Sequence, residues 1–222
     1  VSYGPSCTLN LNGHNQTIAS IARAGTTAPR TVRINSDTPA TLTHNLSAAA
    51  TYEDQLSGVL TVVKTGTGTL TLTNALSNTA GDFIVSNGTL LVTTAKLGNS
   101  TNITVAGSGT LELRNQMAIN DAATIWLFTG GKLKSDAGLL EQVDRLFIDG
   151  VQQPSGTYGS TTSGATYQNN TFFSGSGRLF VWSGPPLAAS KALWDGEGGN
   201  ADTLLGTAAN WTNDVVPSFD GT

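Results

Sequence analysis

The sequence predicts an all-β chain wound as a parallel β-helix, a solenoid of stacked coils, with a connecting segment at its C-terminus. Three observations predict it. First, Gly68-Thr69-Leu70-Thr71-Leu72, Gly88-Thr89-Leu90-Leu91-Val92 and Gly109-Thr110-Leu111-Glu112-Leu113 repeat one pattern at offsets of 20 and 21 residues. Second, each copy alternates polar and apolar, the two-residue period that sends alternate side chains to opposite faces of a strand. Third, Gly, Asn, Asp or Ser bound each run, as in Thr65-Gly66-Thr67-Gly68, and supply the backbone conformations that tight turns require.

The repeat decides between a sandwich of hairpins and a solenoid. Successive strands of a sandwich need no likeness, whereas a solenoid stacks like residues over like, about 4.8 Å apart. Leu70, Leu90 and Leu111 are therefore expected to form one interior ladder and Leu72, Val92 and Leu113 the next, with Thr69, Thr89 and Thr110 stacked outside. Fainter echoes at Thr8–Leu11, Val59–Val62, Asn102–Val105 and Gly177–Val181 extend the pattern, giving about eight coils over residues 1–183. The one helix candidate is Ala137 to Arg145, which carries Leu139, Leu140 and Val143.

Composition limits the functions open to this chain. Only 12% of its 222 residues are charged, against about 25% in an ordinary domain, and the net charge is -4. Eleven scattered basic residues make no stripe for a phosphate backbone, so nucleic acid is not an expected partner. No apolar run reaches the roughly 20 residues of a membrane helix. Cys7 is the single cysteine, which excludes an internal disulfide and a cysteine-cluster zinc site, and it is expected to be a small buried apolar side chain. The chain opens with neither an initiator Met nor a signal peptide, as expected of a processed product or a piece of a longer chain.

Val63-Lys64-Thr65-Gly66-Thr67-Gly68-Thr69-Leu70-Thr71-Leu72-Thr73-Asn74, followed by Asn87-Gly88-Thr89-Leu90-Leu91-Val92, resembles the autotransporter-associated β-strand repeat. Two flanking stretches, Thr8–Ile18 and Leu146–Gly159, look like companions of that repeat in very large secreted bacterial proteins. The resemblance implies a right-handed single-stranded parallel β-helix, exported and displayed at the cell surface. It implies no activity, because the repeat is a scaffold. Ser183-Gly184-Pro185-Pro186 is expected to end the helical domain, leaving 184–222 as a linker and docking segment. Leu193-Trp194-Asp195-Gly196 and Ala208-Ala209-Asn210-Trp211 resemble the opening of a following module in a tandem array.

No catalytic, cofactor or metal site is expected. Carbohydrate-cleaving β-helices gather carboxylates on one face, whereas here Glu53-Asp54 and Glu141 with Asp144 are the only close acidic groupings in the repeat region and read as solvated loop charges. His14, in a turn signal, and His44, at the end of a strand-like run, lack the context of a catalytic triad. Asp195, Glu197, Asn200 and Asp202 have the density of a calcium site but not the spacing of a known loop. The expected assembly residues are Leu193, Trp194, Leu204, Leu205, Trp211, Val215, Val216 and Phe219, too apolar a set to remain a solvated linker. They point to copies of the chain or adjacent modules as partners. The alternative is a carbohydrate-binding or carbohydrate-cleaving module facing surface glycans.

Overall fold

Parallel strands dominate a computed structural model of the chain, which describes residues 6–19, 31–75 and 77–185. They stack as a β-solenoid of about six turns, with no helix among the described residues. These residues fall within the first of two compact units, Val1–Pro185. The assembly residues expected in 184–222 and the acidic group at Asp195–Asp202 lie outside the described residues.

In chain order the strands are β1 (Ser6–Asn10), β2 (Gln16–Ile18), β3 (Thr31–Asn45), β4 (Ala50–Tyr52), β5 (Gln55–Thr65), β6 (Thr69–Leu72), β7 (Phe83–Val92), β8 (Asn102–Leu113) and β9 (Thr124–Leu127). They continue with β10 (Lys132–Ser135), β11 (Leu140–Val143), β12 (Arg145–Ile148), β13 (Val151–Gln152), β14 (Gly156–Gly159), β15 (Tyr167–Gln168), β16 (Phe173–Gly175) and β17 (Arg178–Val181). Each coil contributes to three faces. The first face is one parallel ladder through β2, β3, β5, β7, β8, β9 and β12, and the second runs through β4, β6, β7, β8, β10 and β16.

On the second face Leu70 pairs with Leu90 and Leu90 with Leu111, all at most 2% exposed. Leu72, Val92 and Leu113 form the neighbouring interior row, and Thr69, Thr89 and Thr110 stack between coils as the repeat requires. The fainter echoes fall on other faces. Leu60, Val62, Ile103 and Val105 are buried on the first face, and Leu179 and Val181 on the third.

The third face is a ladder only at its ends, where β1, β3 and β5 pair and, farther along, β11 pairs with β17. Between them the backbone is irregular and hydroxyl groups replace ladder partners. The Thr79 hydroxyl donates to the Leu60 carbonyl at 2.7 Å and accepts from the Leu60 N–H at 3.2 Å, and Ser77 accepts from the Leu56 N–H at 3.2 Å.

Two expectations need correction. Ala137–Arg145 is a turn followed by β11, because Glu141 and Val143 face inward while Leu140 is exposed, a two-residue period rather than a helical stripe. The solenoid has about six turns rather than eight because residues 149–172 do not coil. Asp149 and Gly150 both have positive φ, 46° and 82°, which makes a two-residue hairpin and turns β13 back antiparallel on β12. Beyond it β14 runs antiparallel to β17, with Tyr158 buried and its hydroxyl donating to the Pro154 carbonyl at 2.7 Å. At this end the first and third faces each carry an antiparallel strand beyond the last parallel rung, and β16 is the last rung of the second among the described residues.

Replacing Leu90 by Ala removes a side chain with leucine neighbours on both adjacent coils. It is expected to lower stability by about 2–5 kcal/mol in a denaturant titration.

Candidate functional site

The chemistry of this chain begins with three polar side chains on inward-facing strand positions. Lys64 is fully buried on the first face, between His44 and Val85 in the ladder. Its ammonium donates to the carbonyls of Thr65 at 2.7 Å, Gly66 at 2.8 Å and Asn87 at 3.1 Å, satisfying the corner where the chain turns to the second face. All three donors of the ammonium are used. Burial lowers its pKa, but the three carbonyl dipoles favour the charged form.

Glu141 does the converse on the third face. It is 1% exposed, and one carboxyl oxygen accepts from the Ile119 N–H at 2.6 Å, with the N–H groups of Ala118 and Met117 also favouring its charged form. Met117 has φ 60°, a conformation few side chains adopt, which lets three successive N–H groups turn toward one carboxyl. The second oxygen has no partner, and burial, with a smaller contribution from nearby Asp121, pushes the carboxyl up to about 7. Glu141 is therefore not the solvated loop charge expected from its sequence context.

His44, near the end of β3, is the third. It is 1% exposed, neither ring nitrogen has a partner, and the ring lies 6.3 Å from that of Tyr52. Burial, reinforced by the positive charge of Lys64, pulls its pKa down to about 4. Asp54, expected to be solvated, is 3% exposed. His14 and Glu53 are exposed as expected. Cys7 lies on β1, and its side chain is outside the described residues.

Several surface regions are concave, two of which bear on function. At the N-terminal end of the stack, Leu9, Leu11, Ile18 and Leu42, with His14 and Gln16, line a hollow of about 370 Å³. On the third face, Asp121, Ala122, Gln142, Asp144 and Trp182 line a shallow hollow of about 300 Å³. The turn 121–122, the end of β11 and the residue after β17 come from three successive levels of the stack. Asp121 also belongs to an adjoining hollow of about 320 Å³ that reaches Lys96 and Asn99. Acids and an aromatic thus converge on one groove, contrary to the dispersed arrangement inferred from sequence. Asp144 accepts from the Ser183 hydroxyl at 2.6 Å and pairs with Arg145 at 3.3 Å.

Charges elsewhere bridge coils. Burial pushes the Glu112 carboxyl up, but Arg114 at 2.8 Å and Lys134 at 3.2 Å outweigh it and hold the pKa below the ordinary carboxylate range. No group of three or more metal-ligating side chains occurs among the described residues. No protein-family model matches the chain, and neither a curated protein nor a solved structure matches it.

Two predictions follow from the buried groups. Lys64→Met keeps the stem but strips three carbonyls of their donor, and should cost about 1–3 kcal/mol for each carbonyl that water does not reach, read by denaturant unfolding. The pH dependence has two limbs. The His44 pKa falls from 6.5 to about 4 on folding, so its contribution is complete above 6.5 and is lost as pH falls through 4. The Glu141 pKa rises from 4.5 to about 7, so its contribution is complete below 4.5 and is lost as pH rises through 7. Each limb is worth on the order of 3 kcal/mol. Melting temperatures across this range should show His44→Leu flattening the acid limb and Glu141→Gln the alkaline limb.

Proposed function

We propose that this chain is a structural, non-catalytic module of a secreted or cell-surface bacterial protein, of the kind that carries autotransporter-associated β-strand repeats. It joins end to end with copies of itself or with adjacent modules. The observation that carries this reading is the difference between the two ends of the solenoid. At one end β1 and β2 form the outer rung, with no strand beyond them among the described residues, beside an apolar hollow lined by Leu9, Leu11, Ile18 and Leu42. At the other end the hairpin at Asp149-Gly150 lays β13 antiparallel on β12, and β14 lies antiparallel on β17, so the parallel stacking of coils is interrupted there.

An open edge of this kind takes a further strand through its unpaired backbone groups. The apolar segment that contains Leu193, Trp194, Trp211 and Phe219 supplies a suitable strand from a neighbouring copy. Such a contact joins two different surfaces and does not close on itself unless the rotation makes a ring, so repetition yields a filament or tandem rod. The repeat family is supported by a physical reason for its spacing. Lys64 ties the corner carbonyls, and Gly66 and Gly68 leave room for the preceding coil, where an added Cβ would fall 2.2 Å from the Leu46 carbonyl oxygen and 2.1 Å from that of Ala48. The low charge and the abundance of Thr, Ser and Asn support an extracellular location.

Deleting residues 186–222 separates folding from assembly. The shortened chain should retain its β-sheet circular dichroism and sediment as a monomer, while the full chain associates with rising concentration. Equal association of both chains would exclude the docking role.

A further inference from the structure

Trp182 is 65% exposed, an unusual position for the largest apolar side chain, and its backbone is hydrogen-bonded to the neighbouring coil. Its backbone N–H donates to the Val143 carbonyl at 3.0 Å, and the following Ser183 backbone N–H donates to the Asp144 carbonyl at 2.7 Å. Phe180 meets the indole edge-on, with ring centroids 6.0 Å apart at 78°. The indole therefore projects from a fixed backbone into the hollow it shares with Asp121, Gln142 and Asp144.

The polar groups beside it are ready to bind. Among the described residues no hydrogen bond engages the side chains of Asp121 or Gln142, which leaves a carboxylate acceptor and an amide with both donor and acceptor capacity at the rim. The groove continues through Asp121 to Asn99 and Lys96. Asp121 and Asp144 are offset by Lys96 and Arg145, so the groove favours a ligand without net charge. Its groups come from successive coils about 4.8 Å apart, which suits a ligand that is itself a linear repeat.

The geometry points to a binding site for a linear, uncharged polysaccharide, with one pyranose ring stacked on Trp182 and hydroxyl groups bridging Asp121 and Gln142. The C–H face of a pyranose supplies apolar area to the indole, and its vicinal hydroxyls match a carboxylate beside an amide. This site lies on the side of the solenoid and does not depend on end-to-end joining. Binding is proposed without cleavage.

The test is titration calorimetry of the full chain with cellohexaose, chitohexaose, mannohexaose and hexagalacturonate. Saturable binding to at least one of the three uncharged oligosaccharides is expected. It should weaken about ten-fold or more in Trp182→Ala, weaken in Gln142→Ala, and remain unchanged in Phe128→Ala, whose ring is exposed outside the groove. Melting temperatures of the variants establish that each is folded. Absence of binding to all three uncharged oligosaccharides, equal binding by folded Trp182→Ala, or preference for hexagalacturonate would overturn the proposal.

Discussion

The close approach of one coil to the next is the constraint on which this structure depends. Parallel ladders hold successive coils about 4.8 Å apart along the faces, and the same spacing persists at the corners, where ladder bonding is interrupted. There the backbone leaves no space for side chains: a Cβ on Gly88 would lie 2.4 Å from the Gly66 carbonyl oxygen and 2.5 Å from that of Gly68. Polar backbone groups at such corners still need partners. Lys64 supplies donors at one corner and Glu141 an acceptor at another, so two buried ionisable groups of opposite type serve backbone dipoles rather than each other. This differs from an isolated buried ion, whose desolvation has no compensation.

Much of the fold was legible because stacking copies the interior pattern from coil to coil. The Gly-Thr-Leu repeat located a whole ladder, including its outward threonines. The same parity also holds the buried polar positions. Ala40-Thr41-Leu42-Thr43-His44 and Leu60-Thr61-Val62-Val63-Lys64 each alternate toward an inward polar residue, and Glu141 shares the parity of Val143. Judging Glu141 by residue type rather than by position in the alternation put it in water. The Asp149-Gly150 pair, between Leu146-Phe147-Ile148 and Val151, is a hairpin signal that the search for repeats passed over. The Trp182 hollow was not legible, because its side chains are far apart in sequence and meet only through stacking.

The three faces divide the work of the molecule. The first and second are continuous ladders over an apolar interior, and they leave little room for variation. The third interrupts its ladder between β5 and β11, with hydroxyl groups of Ser77 and Thr79 standing in for backbone partners. Irregular backbone can present side chains at angles a flat sheet does not offer, and the groove from Lys96 to Trp182 follows this face. Regularity on two sides makes irregularity on the third tolerable.

The place of β17 has a mechanical consequence. This strand lies between β11, to which it is parallel, and β14, to which it is antiparallel, so hydrogen bonds hold it along both edges. Trp182 and Ser183, directly after it, continue the pairing with Val143 and Asp144. Tension applied to the polypeptide beyond Val181 and directed along the strand would load both ladders in shear, and many bonds would have to yield together. A strand on an open edge would resist with one ladder only. The antiparallel insertion thus gives β17 a second ladder against such a load.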